Sequence, residues 1–433
     1  MTTPDRASRQ AWLVYLAAVT AYFIAVVHRT ALGVAGTEAI ERFGLQATGL
    51  AMFSVIQIAA YAAMQIPAGR LIDRLGARPV MTAGLVLMAA GQLLLAVTES
   101  VPIALVARLL IGAGDAPIFI GAMRLIVYWF PPRRVPMLVQ VTGLIGQAGQ
   151  LATAIPVAAL LHAAGWTTTF ATLAGVGTAI AFVASIGLRS PPNRERPAAS
   201  ERMWTAVRAA TRPHGTRLGF WTHFVTLFPL NTLALLWGVP FFIMGQGRTP
   251  AEASLLLTVL TLAAMAGGPV VGYLTSRHPL RRSWIVLGSA VATAVAFGGL
   301  LAFSTPRPMW QLALVVVVVG VGGPVSAVGM DFARTFSDAE RLGTASGFVN
   351  VGGFSATILS VMSVGLVLQI VAPAGATVYS LDEFRIAFAV LLVPWVVGVT
   401  GVIRSRRRAR EDMARAGVVV PRMRDALRRG RRR

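Results

Sequence analysis

Gly69–Val80 reads GRLIDRLGARPV, a short charged stretch between two long apolar runs at about 46–68 and 80–98. Each run has the length that a helix needs to cross a bilayer, since about 20 mostly apolar residues span the roughly 30 Å of hydrocarbon. The stretch between them carries three arginines. Positive charge of this kind marks connections on the cytoplasmic side of a membrane. The sequence therefore predicts two membrane spans joined by a short basic connection.

The composition of the whole chain also fits a membrane protein. Of the 433 residues, 55% are hydrophobic and 13% are charged, and the mean hydropathy is +0.68, whereas a soluble domain carries about 25% charged residues. The chain has no cysteine, which excludes disulfides and thiolate metal sites. It also has no lysine, which excludes the phosphate-binding lysine loop of ATP-driven pumps. We therefore expect no cofactor, no bound metal and no enzymatic activity.

Twelve apolar runs along the chain are long enough to span a membrane. They lie near 12–36, 46–68, 80–98, 104–128, 136–161, 167–188, 218–245, 251–275, 284–304, 309–332, 345–371 and 383–403. If the N-terminus is cytoplasmic, the connections place 32 arginines on the cytoplasmic side and 4 on the other, with 3 inside spans. This asymmetry follows the positive-inside rule. It also accounts for the net charge of +22 without a nucleic-acid-binding surface.

A polar segment at 189–217 divides the twelve runs into two groups of six. Its prolines and dense charge are typical of a linker. The two groups are alike: the pattern of glycine, leucine and arginines that begins at Gly69 recurs from Gly272, at an offset of 203 residues. We predict an all-α membrane protein of two pseudo-symmetric six-helix bundles, with a site near the midplane between them. The predicted parts are a first bundle at 1–188, the linker, a second bundle at 218–403 and a basic cytoplasmic tail at 404–433.

The chain resembles the major facilitator superfamily in two motifs and in its plan of twelve spans in two halves. Residues 69–80 are similar to the family's loop between spans 2 and 3, G-x-L-x-D-R-x-G-x-R. Arg108–Gly114 is similar to its R-x-x-x-G-x-G element in span 4. The resemblance implies alternating access to a central cavity and a conformational switch in the loop. The implied switch residues are Gly69, Asp73, Arg74, Gly76 and Arg78.

Two shorter motifs concern the substrate. His28–Ala35 in span 1 and Tyr128–Arg134 after span 4 resemble segments of the anion–cation symporters of the same superfamily, which favours an anionic substrate. Drug–proton antiporters usually carry G-x-x-x-G-P-x-x-G-G in span 5. This chain reads GLIGQAGQ from Gly143 and has a proline only later, at Pro156. The departure weakens an interpretation as a drug exporter.

Ionisable residues inside the spans are functional candidates, because such a group at mid-bilayer costs about 2.5–3.5 kcal/mol on insertion scales. Arg29 has the planar fork that binds a carboxylate or phosphate, although it could equally be a fixed partner of Asp115. Asp115 lies seven residues after Arg108, which is two helical turns, so both share one face. Asp115 could trade a proton during transport or stay in a permanent ion pair. His28 could titrate near neutral pH or serve as a neutral hydrogen-bonding group.

Further polar residues inside the spans are expected to face the same cavity. Gln57, Tyr61 and Gln65 recur every four residues and form one polar stripe, which either faces the cavity or only holds neighbouring helices together. The predicted cavity residues are His28, Arg29, Gln57, Tyr61, Arg108, Asp115, Gln147, Gln150, Asn231 and Trp237.

We expect a secondary transporter that moves a small solute, with an organic anion favoured, by alternating access and with proton coupling. Proton-driven export of drugs or metabolites is one alternative, and a membrane sensor that does not transport is another. The expected partners are the small-molecule substrate, protons and, for the basic tail, anionic lipids. We expect no nucleic acid as a partner. The chain is expected to be a monomer in a bacterial plasma membrane, with both termini in the cytoplasm.

Asp73→Asn is predicted to reduce transport more than it reduces the amount of folded protein in the membrane. The resemblance implies that Asp73 latches the two halves on the cytoplasmic side when the cavity opens outward. A carboxylate beside a helix N-terminus is also stabilised by the helix dipole. The measurement is uptake per folded transporter, and normal uptake by this variant would refute the latch.

Overall fold

The computed structural model describes residues 8–131, 134–189, 208–209, 211–337 and 342–418. Within these ranges the chain forms helices and no strand, and eleven stretches are long and apolar enough to cross a membrane. One of them, Met137–Gly187, is broken at Gly165, where φ is 75° and ψ is −179°. Such a positive φ favours glycine. The break in the helix at this residue ends one span and starts the next. The described part of the chain thus has the twelve spans that the sequence predicts.

The first six spans follow one another with short connections, and a short helix, Gly36–Phe43, lies between the first two. Their helices are Arg9–Val34 (span 1), Ala47–Leu75 (span 2), Ala77–Val97 (span 3), Val101–Trp129 (span 4), Val135–Ala152 with the π-turn Thr153–Val157 and the start of Ala158–Gly187 (span 5), and the rest of Ala158–Gly187 after Gly165 (span 6).

The last six spans have more interruptions than the sequence suggests. Their helices are His214–Thr232, Gly238–Pro240 and the π-turns Leu233–Trp237 and Phe241–Gly245 (span 7), Pro250–Arg277 (span 8), Arg282–Leu301 (span 9), Met309–Ser326 and Val328–Phe336 (span 10), Leu342–Val371 (span 11), and Leu381–Ala389 and Leu392–Arg415 (span 12). A 3₁₀ turn, Pro279–Arg281, connects spans 8 and 9. Two of these helices start with a capping box, at Thr249 and at Ser380, which satisfies backbone N–H groups that a helix start leaves free.

The charged stretch 69–80 is mostly helical rather than a loop. Span 2 continues to Leu75, and span 3 begins at Ala77. The turn between them is Gly76 alone, with φ 95° and ψ 162°, a conformation that a residue with a side chain would adopt only with strain. Pro79 fits in the first turn of span 3, because its missing N–H would have had no partner in the helix.

The last span also runs further than its apolar part. Its helix continues beyond the predicted end near 403 to Arg415, where an Arg407–Glu411 pair at 3.5 Å and an Arg415–Asp412 pair at 2.7 Å support the added turns. The predicted tail therefore begins as a helix, and residues 419–433 lie outside the described ranges. Of the predicted linker, 190–207 and 210 lie outside them as well.

The two ends of the bundle are packed differently. We call the end at which span 1 begins the arginine-rich end, since Arg78, Arg217 and Arg277 lie there, and the other the opposite end. At the opposite end, buried apolar residues of both halves form a single core, which includes Phe43, Leu50, Trp237 and Phe384. Toward the arginine-rich end, each half has a core of its own, around Met81 in the first and Val286 in the second.

Contacts between backbones close the opposite end. Spans 1 and 7 cross at Gly33, where an added Cβ would lie 2.3 Å from the carbonyl oxygen of Ala234. The amide of Ala47, at the start of span 2, donates to the Tyr379 hydroxyl at 2.8 Å, and Thr48 Oγ1 donates to the Gly365 carbonyl at 3.4 Å. These bonds join the first half of the chain to the second.

The Tyr379 hydroxyl makes two hydrogen bonds at this position. Burial raises the pKa of this phenol above its ordinary value. The hydroxyl donates to the carbonyl of Ala376 at 3.0 Å while it accepts from Ala47. One side chain between spans 11 and 12 thus fixes the start of span 2.

Candidate functional site

The centre of the first half contains a two-point ion pair between spans 1 and 4. Arg29 donates through Nε to Asp115 Oδ2 at 2.5 Å and through Nη2 to Asp115 Oδ1 at 2.9 Å. This is the planar, two-bond geometry in which arginine binds a carboxylate most strongly. Asp115 is 1% exposed, whereas the Arg29 side chain is 19% exposed. The pair is therefore buried on its acidic side and accessible on its basic side.

An aromatic ring lies beside the guanidinium, and further rings pack nearby. The Cζ atom of Arg29 lies 4.8 Å from the centre of the Tyr61 ring, within the range of a cation–π interaction. Tyr61 in turn packs edge-on against Phe354 of span 11, with ring centres 5.0 Å apart. Tyr22 of span 1 packs against Phe119 of span 4, with ring centres 5.2 Å apart. The site thus has an aromatic wall, and Phe354 brings the second half of the chain to it.

Two glutamine amides hold the backbone of span 1 beside the pair. Gln57 Nε2 donates to the carbonyl of Arg29 at 3.2 Å, and Gln92 Nε2 donates to the carbonyl of His28 at 3.2 Å. Spans 2 and 4 approach closely at the same level, since a Cβ on Gly112 would lie 2.1 Å from the Gln57 carbonyl oxygen. Small residues permit such backbone contact between membrane helices. The depth and rotation of Arg29 are therefore fixed by three neighbouring spans.

Four of the predicted cavity residues thus come together in the structure. They are Arg29, Gln57, Tyr61 and Asp115.

His28 is placed on another side of span 1. It is fully buried, and its Nε2 lies 3.1 Å from the carbonyl oxygen of Leu173 in span 6. A Cβ on Gly177 of the same span would come within 2.6 Å of the His28 ring. Successive helical residues point about 100° apart, so a neighbour of Arg29 in sequence need not share its surroundings. We leave His28 out of the site.

Arg108 is also separate from the pair. It is 2% exposed, its Nε donates to the carbonyl of Phe53 in span 2 at 3.1 Å, and its Nη1 has no hydrogen-bond partner among the described residues. Although Arg108 and Asp115 are two turns apart on one helix, the carboxylate is bound by Arg29. The structure therefore selects Arg29 as the partner of Asp115.

Within the described residues, none of the other four predicted cavity residues hydrogen-bonds to the Arg29–Asp115 pair. Asn231 donates to Thr357 Oγ1 at 3.1 Å, and the Trp237 indole donates to the Val361 carbonyl at 2.9 Å, so both join span 7 to span 11. Trp237 belongs to the core that closes the opposite end. Gln150 borders a gap of about 20 Å³ between spans 1, 5, 7 and 8, and Gln147 is half-buried with its Oε1 lacking a hydrogen bond in the described part of the chain.

The switch residues lie around the turn between spans 2 and 3. Gly69 lies within span 2, and an added Cβ there would meet nothing within 4 Å. Gly76 forms the turn, and Arg78 is exposed in the first turn of span 3. The side chains of Asp73 and Arg74 lie outside what the structure describes, so the implied latch stays a prediction.

Sequence reasoning missed the aromatic neighbours of the pair. Tyr22 lies seven residues before Arg29 and Phe119 lies four residues after Asp115, and both spacings place a residue on the same helix face as its partner. From these spacings, the sequence alone could have predicted both aromatic residues as neighbours of the pair. Phe354 carries no such signal, because only the packing of span 11 against span 2 brings it to Tyr61.

No group of three or more metal-binding side chains occurs among the residues that the structure describes. The site shown by the structure consists of an ion pair and an aromatic wall, and an arginine fork of this kind suits a carboxylate or another oxyanion.

The family is shown by comparison with known proteins. The model of the Major Facilitator Superfamily matches residues 18–361, with a further match at 240–417. The chain belongs to the major facilitator superfamily. It is thus a membrane transporter and not an enzyme, as the sequence predicts.

Curated members of the superfamily are similar to the chain over most of their length. The Probable sulfoacetate transporter SauU of Cupriavidus necator is 22% identical, over 80% of this chain and 85% of that protein. The Probable galactarate/D-glucarate transporter GudP of Escherichia coli is 23% identical, over 78% and 83%. A solved bacterial homologue of the human lysosomal transporter Spinster, inward-facing and unoccupied, has a TM-score of 0.71 at 15% identity, over 93% and 98% of the two chains. This last likeness shows the fold of the superfamily.

Arg29→Gln and Asp115→Asn are expected to destabilise the protein individually and less than additively together. Each single change leaves the other group without its partner in the middle of the spans, whereas the double change removes both charges. Unfolding of the four proteins in detergent measures the coupling, which should be about 0.5–3 kcal/mol for groups in contact. If the two single effects simply add, the ion pair contributes nothing to stability.

Proposed function

We propose that this transporter carries a small organic anion that binds to the guanidinium of Arg29. The observation that carries the proposal is the two-point pair with Asp115, in which the acid is buried and 19% of the arginine side chain stays exposed. A guanidinium that presents its fork in this way suits a carboxylate, a sulfonate or a phosphate. The aromatic wall of Tyr61 and Tyr22 favours a small organic molecule around that charged group.

The relatives support an anionic substrate. The substrates in their names are sulfoacetate, galactarate and D-glucarate, each of which carries a carboxylate or a sulfonate. Such groups match the fork of Arg29, and no second acid lies within the middle of the predicted spans to compete for it. We infer that the substrate of this chain belongs to the same chemical class.

We further propose that transport is coupled to protons through Asp115. When an anion takes the place of Asp115 at Arg29, the carboxylate loses its counter-ion in the middle of the membrane. An unpaired charge there is costly, and uptake of one proton by Asp115 removes it. The ion pair at Arg29 is then replaced charge for charge, since one anionic group of the substrate takes the place of the carboxylate and the proton neutralises Asp115. Anion and proton would therefore move together.

The direction of opening follows from the packing of the two ends. The opposite end is closed by contacts between the two halves, whereas the cores are separate toward the arginine-rich end. We propose that the arginine-rich end faces the cytoplasm of a bacterium, with both termini there and the plasma membrane as the location. In that orientation the structure corresponds to a state open toward the cytoplasm.

We also propose a monomer whose basic tail is attracted to anionic lipids.

Arg29→Lys is expected to lower the transport efficiency for the preferred anion by about tenfold or more. Lysine keeps the positive charge but loses the two-bond fork. A charge-assisted hydrogen bond contributes about 1.5–3 kcal/mol, and about 1.4 kcal/mol corresponds to a factor of ten. The measurement is uptake of labelled sulfoacetate, galactarate and D-glucarate into proteoliposomes.

Arg42→Lys is the matched control, because Arg42 binds the backbone carbonyl of Thr98 at the opposite end. It should transport like the unaltered chain. Equal uptake by the Arg29 and Arg42 variants would remove Arg29 from the site. If the unaltered chain carries none of the three anions, the proposed substrate class is wrong.

Asp115→Asn is expected to keep substrate exchange but to lose accumulation driven by a pH gradient. The asparagine amide cannot take up and release a proton as a carboxylate does. Movement of the substrate in either direction is then no longer coupled to movement of a proton. Exchange with substrate on both sides of the membrane and uptake with an inward proton gradient measure the two properties separately. Asp331→Asn, which changes an acid at the end of span 10, is the control. Normal gradient-driven accumulation by the Asp115 variant would contradict proton coupling at this residue.

A further inference from the structure

A groove of about 430 Å³ lies on the outer side of the bundle at the arginine-rich end, between the start of span 7 and the end of span 12. Its polar part is formed by His214, Arg217, Arg404 and Arg408. This groove is distant in sequence and in place from the Arg29–Asp115 pair, and the proposed transport mechanism makes no use of it.

The polarity of the groove changes along its length. On span 12 the lining recurs every four residues, from Val396 through Thr400 and Arg404 to Arg408, so these residues form one face of the helix. At 1.5 Å per residue, that face extends for about 18 Å. This face begins with the exposed Val396 toward the middle of the membrane, and its last two turns carry Arg404 and Arg408. The groove is thus apolar toward the bilayer centre and cationic at the membrane surface.

The arginines in the groove differ from their neighbours on the same helix. Arg407 pairs with Glu411 at 3.5 Å and Arg415 with Asp412 at 2.7 Å. Arg406 lies over the Trp284 ring at 4.4 Å.

Arg404 and Arg408, by contrast, are exposed, and no acid lies among the residues that line the groove. In the described part of the chain they have no ion pair. Of the other two polar residues of the groove, Arg217 donates through Nε to the backbone carbonyl of Thr211 at 3.0 Å, and His214 lies 4.0 Å from Asp412.

The indole ring of Trp221 forms part of the apolar wall of the groove. Trp221 of span 7 lines the groove opposite Gly401 of span 12, and a Cβ on that glycine would lie 2.2 Å from the Trp221 ring. Tryptophan is favoured at the level of lipid headgroups, where one edge of the ring is apolar and the other meets polar groups. The close contact leaves the surface beside it, along Val396 and Val397, open to the membrane.

We propose that this groove binds one anionic phospholipid, with the phosphate headgroup on Arg217, Arg404 and Arg408 and an acyl chain along Trp221, Val396 and Val397. Arginine binds phosphate oxygens through its fork, and basic pockets between membrane helices on the cytoplasmic side suit acidic headgroups. The charges complement a phosphate, and the apolar half complements a hydrocarbon chain, which free phosphate lacks. A bound lipid would hold the start of span 7 to the end of span 12. The inference differs from general attraction of lipids to the basic tail, because it predicts a discrete, saturable site.

The test uses the full chain, purified in detergent and mixed with phosphatidylglycerol or phosphatidylcholine. Native mass spectrometry should show one retained phosphatidylglycerol in clear excess over phosphatidylcholine. The double variant Arg404→Gln/Arg408→Gln should lower the affinity for phosphatidylglycerol by about tenfold or more, a change of about 1.4 kcal/mol. The matched control Arg407→Gln/Arg410→Gln removes the same charge from the same helix outside the groove and should retain the lipid.

A second variant tests the shape of the groove independently of its charges. Thr400→Trp fills the middle of the groove and keeps every arginine, and it should also lose the lipid while remaining monodisperse. Any of three results would overturn the proposal: equal loss in the control variant, which indicates diffuse charge attraction; undiminished binding in Thr400→Trp; or displacement of the lipid by millimolar inorganic phosphate, which indicates a site for phosphate alone. Equal retention of the two phospholipids by the unaltered chain would overturn it as well.

Discussion

The whole arrangement depends on one electrostatic constraint: a charge in the middle of a bilayer needs a counter-charge or water beside it. Arg29 and Asp115 meet this constraint together, through two hydrogen bonds of 2.5 and 2.9 Å. Only the arginine of the pair is partly exposed, so the proposed substrate would meet the cation before it meets the acid. The pair is a neutral unit within the membrane, and its exposed cation is the group to which we propose that the anion binds.

The surrounding structure fixes the pair on one side and leaves it free on the other. Gln57 and Gln92 bind the carbonyls of span 1, and Gly112 lets spans 2 and 4 touch at the same level. The contact with the second half of the chain is different in kind, since it is made by the rings of Tyr61 and Phe354. Ring contacts are less directional than hydrogen bonds, so the two halves can separate there without leaving unsatisfied polar groups. This difference suits a site that must hold its shape while one half moves against the other.

The sequence predicted the number and order of the spans well, because apolar length and the positions of arginine are properties that each span carries by itself. It predicted less about which polar residues share a site. His28 and Arg29 are neighbours in the chain, yet one lies against span 6 and the other meets Asp115 of span 4. Trp237 lies in the π-turn Leu233–Trp237 and belongs to the core that closes the opposite end, and no period of the sequence reveals that interruption of span 7. The direction of a side chain inside a span depends on packing between helices, and a single sequence does not encode that packing visibly.

The arginines of this chain show how depth decides what a positive charge does. Arg29, in the middle of the spans, is bound by an acid of the chain itself. Arg108, also deep, is bound by the carbonyl of Phe53. At the membrane surface, where water and headgroups solvate charge, Arg404 and Arg408 have no acid among the residues that line their groove, whereas Arg407 on the same helix is paired with Glu411. A positive charge that no acid of the chain pairs can bind an anion directly, whereas a paired one can bind an anion only in exchange for its acid. The proposed substrate would therefore compete with Asp115 at Arg29, whereas the proposed phospholipid would compete only with water at the two surface arginines.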